Sequence, residues 1–171
     1  MSDEKRKSDI ILEEVKKRRE REKIVDVEEE RTKMVVFSLS DDYYAFYGDD
    51  IKEILPLVNI YYVPGSPDFI LGVVNIRGDI ESVLNISKFL GLPEPKQTKH
   101  SRIAVAARDD MRSGVLVDSI VDVIDVPVSS IKPPLSTLNS SIRDFVTGEM
   151  LYNNKNVTLL DVGKIFGKIT V

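Results

Sequence analysis

Two stretches of this chain repeat one pattern, and the repetition limits the folds open to it. Residues 69–91 align with residues 145–167 at a constant offset of 76 without a gap, with five identities in 23 positions. The identities are Phe69 with Phe145, Gly72 with Gly148, Leu84 with Leu160, Lys88 with Lys164 and Gly91 with Gly167. A second match, at an offset of 69, places Asp50–Ile54 over Ser119–Val123. We interpret the pattern as two similar small β-barrels built by duplication, with a chance likeness between short hairpins as the alternative.

From Met34 onward the chain is rich in short runs of alternating or β-branched residues, which are typical of strands. Tight turns are predicted at Arg77-Gly78-Asp79 and Asn153–Asn156, because glycine and asparagine tolerate the left-handed backbone that hairpin turns need. Short helices are predicted at Asp49–Leu55, Ile86–Leu90 and Val162–Phe166. The chain is therefore predicted to be mainly β.

The repeat also predicts the domain organisation. One domain is expected over 34–171, with a first barrel at about 34–91, a linker at 92–101 and a second barrel at about 102–167. Each barrel would have about 65 residues, which is small for an independent core. The two barrels are therefore expected to share an interface.

Residues 1–33 differ sharply in composition from the rest of the chain. They contain 11 basic and 11 acidic residues, so this N-terminal extension is densely charged but has no net charge. Its first apolar residues form only a short stripe, Ile10, Ile11, Leu12 and Val15. The extension is predicted to be either helical or disordered, and to be either a docking helix for a partner or a solvated tail.

Composition excludes several classes of function. The chain has no cysteine and one histidine, His100. Disulfides, zinc thiolates, thiol nucleophiles and sites with a pair of histidines are therefore ruled out. The sequence has no Gly-rich phosphate loop, calcium-binding loop or Gly-x-Ser-x-Gly motif. We expect a protein that is not an enzyme and that needs no cofactor or metal.

Charge and hydropathy also bear on localisation and on nucleic acid. No apolar run approaches the roughly 20 residues of a membrane helix, and the N-terminus lacks the apolar core of a secretion signal. A cytoplasmic protein without membrane insertion is therefore expected. Residues 34–171 carry 13 basic and 17 acidic residues, which disfavours a nucleic-acid partner. A small β-barrel that binds single-stranded nucleic acid is the alternative function, with stacking on Tyr43, Tyr44, Tyr61 and Tyr62.

An ordered set of motifs between Met34 and Phe166 resembles the CheW-type coupling proteins of bacterial chemotaxis. The first half of the set consists of Tyr44-Ala45-Phe46, Ile51–Ile54, Phe69–Gly78 and Asn85–Gly91. The second half consists of Gly114–Asp118, Val121–Ile124, Ile131–Pro134, Phe145–Gly148 and Leu159–Val162. Segment order and spacing are preserved across the whole range, so the resemblance is fairly specific.

This resemblance implies a fold of two SH3-like, five-stranded β-barrel subdomains packed together around a shared apolar interface. It also implies an adaptor without catalytic activity, which links the cytoplasmic tips of chemoreceptors (methyl-accepting chemotaxis proteins) to the regulatory domain of the histidine kinase CheA. Such a protein would be cytoplasmic and would be held at the inner face of the membrane by receptor arrays. Other CheW-like proteins in rings are a further partner that the resemblance allows.

The resemblance implies two sets of site residues. The receptor-binding residues would be Ile51, Glu53, Gly72 and Arg77. The kinase-binding residues would be Gly114, Ile120, Val121, Val123 and Ile124, all expected in the second barrel. An arginine suits receptor binding, because its planar guanidinium can bind a carboxylate or the carbonyl groups at a helix C-terminus.

The predicted turn at Arg77 and Gly78 leaves alternatives open. Gly78 is also explained as an ordinary hairpin glycine, and Arg77 as one partner of an intramolecular salt bridge to Glu81 or Asp79. The CheW-type family usually has an apolar residue and then proline where this chain has Glu81 and Ser82. Glu81 would add negative charge near Arg77, which would either neutralise the arginine or change the choice of receptor.

Overall fold

A computed structural model of the chain describes residues 2–169, with side chains at residues 6–20 and 29–169. The chain divides between Arg31 and Thr32 into two compact units. The N-terminal unit is the helix α1 (Ser2–Glu28), whose side chains at residues 6–20 are all exposed. The extension, expected to be helical or disordered, is thus helical here, and the first strand begins at Arg31 rather than at Met34. None of the described helices is both long and apolar enough to cross a membrane.

The second unit contains, within the described residues, ten strands in two five-stranded sheets. The strands are β1 (Arg31–Leu39), β2 (Asp42–Tyr47), β3 (Ile51–Pro56), β4 (Ile70–Ile76), β5 (Asp79–Leu84), β6 (Arg102–Arg108), β7 (Met111–Val117), β8 (Ser119–Pro127), β9 (Val146–Tyr152) and β10 (Lys155–Leu160). The helices are α2 (Ser87–Leu90), α3 (Ser140–Arg143) and α4 (Val162–Ile169), with 3-10 turns at Gly48–Asp50 and Val128–Ser130. Sheet A has the strand order β8-β1-β2-β10-β9, and sheet B has the order β3-β6-β7-β5-β4.

The repeat found in the sequence is present in the fold. Strands β4 and β9 begin and end 76 residues apart, and so do β5 and β10. Their hairpin turns have positive φ at both central residues, 53° and 90° at Arg77 and Gly78, and 47° and 63° at Asn153 and Asn154. Two consecutive positive φ values belong to the type I′ turn, whose twist matches that of the strands it joins. The two predicted hairpin turns are confirmed.

Each sheet takes strands from both halves of the chain, which corrects the expected barrel bounds of 34–91 and 102–167. Sheet A joins β1 and β2 to β8–β10, and sheet B joins β6 and β7 to β3–β5. The halves meet at two strand pairs in each sheet, β1 with β8 and β2 with β10 in sheet A, and β3 with β6 and β5 with β7 in sheet B. The expected bounds followed from the tendency of consecutive elements to be neighbours. Because the two copies have similar apolar spacing, the first hairpin of one copy fits the last three strands of the other.

The prediction of a helix at Asp49–Leu55 is wrong. Gly48–Asp50 form a single 3-10 turn, and Ile51–Pro56 are strand β3. Side chains along β3 alternate between half-buried and exposed, which is the period-two pattern of a strand at a sheet surface. The same segment matched Ser119–Val123 in the sequence, and that segment is also a strand, β8.

Apolar side chains form three buried clusters. The sheet A cluster contains Met34, Val36, Ala45, Met150, Val157 and Leu159. The sheet B cluster contains Val74, Ile76, Val83, Ile103, Val105 and Leu116. The third and largest, called the shared core here, draws on both sheets and on α2 and α4, and includes Phe37, Phe46, Leu84, Ala106, Val115, Leu90 and Phe166. It is the interface that the small size of each repeat unit predicts.

Strands at the shared core have both faces buried. On β1, Val36 belongs to the sheet A cluster and the next residue, Phe37, to the shared core. On β7, Leu116 belongs to the sheet B cluster and Val115 to the shared core. Tyr44 also packs into the shared core, where burial raises the pKa of its hydroxyl to about 12. Burial on two faces explains why these strands are almost continuously apolar in sequence.

Phe46 provides a direct test of the shared core, because it is fully buried and its ring centroid lies 4.8 Å from that of Phe37. Replacing Phe46 with alanine should lower the free energy of unfolding by about 3–5 kcal/mol, the usual cost of such a cavity. Urea denaturation followed by circular dichroism measures the change. The control is Tyr62→Ala, an exposed ring, for which we expect a change within about 0.5 kcal/mol. A similarly small effect of Phe46→Ala would contradict a packed shared core.

Candidate functional site

An ion pair at the surface of sheet B links its two edges. Glu53 is on the edge strand β3, and Arg77 is in the turn between β4, the other edge strand, and β5. The Arg77 guanidinium donates from Nη2 to Glu53 Oε1, and from Nη1 to Oε2 at 3.3 Å, so the pair is bidentate. The Glu53 side chain is 19% exposed and that of Arg77 is 77% exposed. A largely buried carboxylate thus holds a guanidinium that is open to a partner.

The salt bridge of Arg77 has a different partner from the two that were predicted. Arg77 pairs with Glu53 rather than with Glu81 or Asp79. The Glu81 carboxylate instead accepts a hydrogen bond from Arg112 Nε at 2.8 Å. The expectation that Glu81 neutralises Arg77 is therefore corrected, because the Glu81 carboxylate forms its salt bridge with Arg112.

The other two expected receptor-binding residues are packed rather than exposed. Ile51 is half-buried and packs against the shared core. Gly72 is buried, and its φ of 151° lies in the region that favours glycine. A Cβ at Gly72 would lie 2.2 Å from the carbonyl oxygen of Tyr61, whose backbone pairs with that of Val73. The structure thus explains Gly72 by the close approach of two backbone segments, and its contact with a receptor stays a prediction.

Exposed aliphatic side chains accompany the ion pair along the chain. Ile54, which follows Glu53 on β3, is 36% exposed, and Ile80, at the start of β5 after the Arg77 turn, is 64% exposed. Protein docking surfaces usually combine such apolar side chains with a few fixed polar groups. Glu53 and Arg77 are thus the two expected receptor-binding residues that the structure joins, on elements that also expose apolar surface.

The expected kinase-binding residues lie in two different sheets, which corrects their assignment to one barrel. Gly114 is buried on β7 of sheet B, where a Cβ would lie 2.8 Å from the Ile103 side chain. The other four are on β8, an edge strand of sheet A, namely Ile120, Val121, Val123 and Ile124. Among these four, Val123 is exposed, and the other three pack in part against the shared core or the sheet A cluster. The separation results from the exchange of strands between the two halves of the chain.

Sheet A has a counterpart of the Glu53–Arg77 pair. Tyr152, the last residue of β9, donates its hydroxyl to Asp122 Oδ2 on β8 at 2.7 Å. This hydrogen bond to a carboxylate raises the pKa of the Tyr152 hydroxyl. Asp122 follows Glu53 by 69 residues, and Tyr152 follows Ile76, the neighbour of Arg77, by 76. Each pair links one edge strand of its sheet to the turn end of the hairpin that contains the other edge strand. We call the pairs the sheet B clasp (Glu53–Arg77) and the sheet A clasp (Asp122–Tyr152).

Sequence reasoning assigned no site role to Asp122 or Tyr152. The signal that could have found Asp122 was the offset of 69, which aligns it with Glu53. One exposed aliphatic residue corresponds as well, since Val123 aligns with Ile54 at the same offset, whereas Leu151, the exposed residue before Tyr152, aligns with Asn75. The two clasps differ in charge, because the sheet A clasp has a neutral phenol where the sheet B clasp has a guanidinium.

The tyrosines expected to stack on nucleic acid do not form one platform. Tyr44 is buried in the shared core, and the Tyr43 ring lies under Lys155, with Nζ 4.6 Å from the ring centroid. Tyr61 and Tyr62 are exposed, on the segment between β3 and β4. Stacking of successive bases needs aromatic faces along one groove, so the arrangement disfavours the nucleic-acid alternative.

Few titratable groups in the described part of the chain are placed for chemistry. Among these residues, no group of three or more His, Asp or Glu side chains could hold a metal ion. Burial raises the pKa of Asp50, which has Arg108, Asp161, Lys52 and Asp49 as charged neighbours. Asp161 is already paired with Arg108 at 2.9 Å and accepts a hydrogen bond from the Lys164 backbone at the start of α4.

Comparison with known proteins agrees with this geometry. The model of the CheW-like domain family matches residues 33–170. The chemotaxis protein CheW of Helicobacter pylori is 29% identical over 140 residues, which cover 82% of this chain and 84% of that protein. CheW of Thermotoga maritima is 30% identical over 135 residues, covering 79% of this chain and 87% of that protein. The crystal structure of the scaffolding protein TtCheW from Thermoanaerobacter tengcongensis matches with a TM-score of 0.70 and 30% identity, covering 78% of this chain and 86% of that one.

Two five-stranded sheets around a common core, each closed by a side-chain clasp, define a protein with two SH3-like subdomains. The family match extends over nearly all of the second unit, and this chain belongs to the CheW-like domain family. The resemblance found in the sequence is confirmed, and so is the prediction of a mainly β fold with two such subdomains.

The packing of Gly72 gives a prediction that separates it from Gly78, the other glycine of this hairpin. Gly72→Ala should lower the free energy of unfolding by about 2 kcal/mol or more, because the new Cβ would collide with the Tyr61 backbone. Gly78→Ala should cost about 1 kcal/mol, because φ is positive at Gly78 but no atom lies within 4 Å of the new Cβ. Urea denaturation of both variants checks the order. A Gly72→Ala protein as stable as the wild type would show that the two segments are not in close contact.

Proposed function

We propose that this chain is a non-catalytic adaptor of bacterial chemotaxis, which couples the cytoplasmic tips of chemoreceptors to the regulatory domain of the histidine kinase CheA. Family membership supports a scaffolding role, because the relatives are named chemotaxis protein CheW and the matching crystal structure is described as a scaffolding protein. The adaptor works by binding alone. It acts in the cytoplasm, at the inner face of the membrane, where receptor arrays hold it.

The sheet B clasp is the observation that carries the receptor side of this proposal. A receptor tip is a helical hairpin, so its docking site needs apolar contacts and one or two charges that set the register. The exposed Arg77 guanidinium, held by Glu53, can bind a carboxylate or the carbonyl groups at a helix C-terminus. Ile54 and Ile80 supply apolar surface on the same elements. Ile51 and Gly72 contribute by shaping the strands that carry the clasp.

Strand β8 is the proposed kinase side. It is an edge strand of sheet A, and it exposes Val123 beside Asp122 of the sheet A clasp. Three half-buried residues hold the strand in place. Ile120 packs against the shared core, and Val121 and Ile124 pack against the sheet A cluster. Gly114 acts at a distance, through the packing of β7 against the neighbouring strand β6.

The shared core joins the two sides into one body. Since both sheets contribute to it, a partner on sheet B and a partner on sheet A are held at a fixed geometry. A rigid connection raises the effective concentration of each partner for the other and couples their states. Further contacts with CheW-like proteins in rings would extend the same arrangement to an array.

Replacing Arg77 with alanine should weaken binding to a receptor-tip fragment by about tenfold or more, the loss expected for an arginine at the centre of an interface. Binding to the isolated CheA regulatory domain should stay within about twofold of the wild type, because the clasp lies on the other sheet. Isothermal titration calorimetry with each partner measures both affinities, and a pull-down shows whether one molecule holds both.

Arg143→Ala is the matched control, because it removes an exposed arginine on α3 that is likewise hydrogen-bonded, to the carbonyl oxygens of Ser136 and Leu138. A deletion of residues 1–28, which removes α1 and leaves β1 intact, tests whether the extension takes part. If the wild-type chain binds neither partner, the adaptor proposal is wrong. If Arg77→Ala loses both partners and melts at a lower temperature, then Arg77 is structural.

A further inference from the structure

The hairpin that carries Arg77 has little backbone support on one side. Strand β5 pairs with β4 along its whole length, from Asp79 opposite Ile76 to Leu84 opposite Ile70. Its pairing with β7 covers only two positions, Val83 with Gly114 and Leu84 with Val115. The outer part of β5 and the turn beyond it therefore extend past the β5–β7 ladder.

Two side-chain pairs continue the ladder where the backbone pairing stops. The two backbone pairs join residues 31 apart, and the next residues outward keep that spacing. Ser82 Oγ lies 2.7 Å from Ser113 Oγ, and Ser113 Oγ also donates to the Ser82 carbonyl at 3.0 Å. One step further out, Arg112 Nε donates to Glu81 Oε1 at 2.8 Å. Beyond the backbone pairing, hydrogen bonds that involve side chains thus connect β5 to β7.

The outermost of these pairs is the one able to set the orientation of the hairpin tip. The Glu81 side chain is only 14% exposed, and that of Arg112 is 44% exposed. A largely buried carboxylate needs its partner, since a lone charge in that position loses solvation without compensation. Beyond Glu81 lie Ile80 and the turn with Arg77, both strongly exposed. The tip is therefore held from two directions, by Glu53 on β3 and by Arg112 on β7.

We propose that Glu81 and Arg112 are a positioning pair, which fixes the tip of the β4–β5 hairpin so that Arg77 and Ile80 fit a chemoreceptor tip. The inference rests on the proposed function of the sheet B clasp and adds two residues that nothing else assigns to it. Neither residue touches the receptor in this account. Their effect on receptor binding passes through Arg77.

Arg112→Gln should weaken binding to the receptor-tip fragment by about fivefold, because it releases the tip and leaves Glu81 unpaired. The double variant Glu81→Gln/Arg112→Gln should return to within about twofold of the wild type, since two neutral amides can pair with each other. In an Arg77→Ala background, Arg112→Gln should cause no further loss. Calorimetry with the full chain measures each affinity, and binding to the CheA regulatory domain should not change.

The matched control is Lys88→Gln, which breaks the ion pair between Lys88 and Glu94. Lys88 lies on α2, which follows β5 at the end away from the Arg77 turn. It should leave receptor binding unchanged. If the double variant is as weak as Arg112→Gln, then Arg112 contacts the receptor itself and the positioning role is overturned. An additive loss in the Arg77→Ala background overturns it as well.

A second readout needs no partner. Hydrogen exchange of the backbone amides at residues 77–80 should be faster in Arg112→Gln than in the wild type and should return towards the wild-type rate in the double variant. Unchanged exchange in Arg112→Gln would overturn the positioning role even if binding fell. A wild-type chain that binds no receptor fragment would overturn the proposed function, while the exchange rates would still decide whether the pair holds the tip.

Discussion

Both five-stranded sheets pack against each other through the shared core. The cluster within each sheet is smaller than the shared core, and the hairpins β1–β2 and β6–β7 bury a second apolar face in that core. Packing those faces together stabilises both sheets at once. Because each sheet also takes strands from both halves of the chain, the two subdomains cannot form one after the other as separate segments.

The two sheets close their edges by corresponding side-chain contacts, and the two contacts differ in charge. Glu53 and Asp122 occupy equivalent positions on edge strands, and each accepts a hydrogen bond from the end of the opposite hairpin. The donor is a guanidinium in sheet B and a phenol in sheet A. The two contacts therefore give the two sheets different electrostatics, a difference that would favour the proposed binding of two unlike partners.

Local features of the fold were predictable from the sequence, and pairings between distant segments were not. The hairpins β4–β5 and β9–β10 follow from apolar alternation and from the turn residues Gly78 and Asn153. The sequence does not show whether a strand pairs within its own half of the chain or with the other half, because both halves have similar apolar spacing. The error at Asp49–Leu55 arose because a short half-buried strand resembles one turn of helix in charge pattern. The partner of Arg77 was missed because Glu53 is 24 residues away and reaches it only after the sheet has closed.

We infer that the shared core makes both subdomains unfold as one cooperative body. Hydrogen exchange measured by mass spectrometry at increasing urea concentration tests this cooperativity, with the amides of β4–β5 reporting on sheet B and those of β9–β10 on sheet A. Both hairpins should lose protection at the same urea concentration, and Phe46→Ala should shift both midpoints together. If one hairpin lost protection while the other stayed protected, the two sheets would unfold independently and the shared core would not couple them.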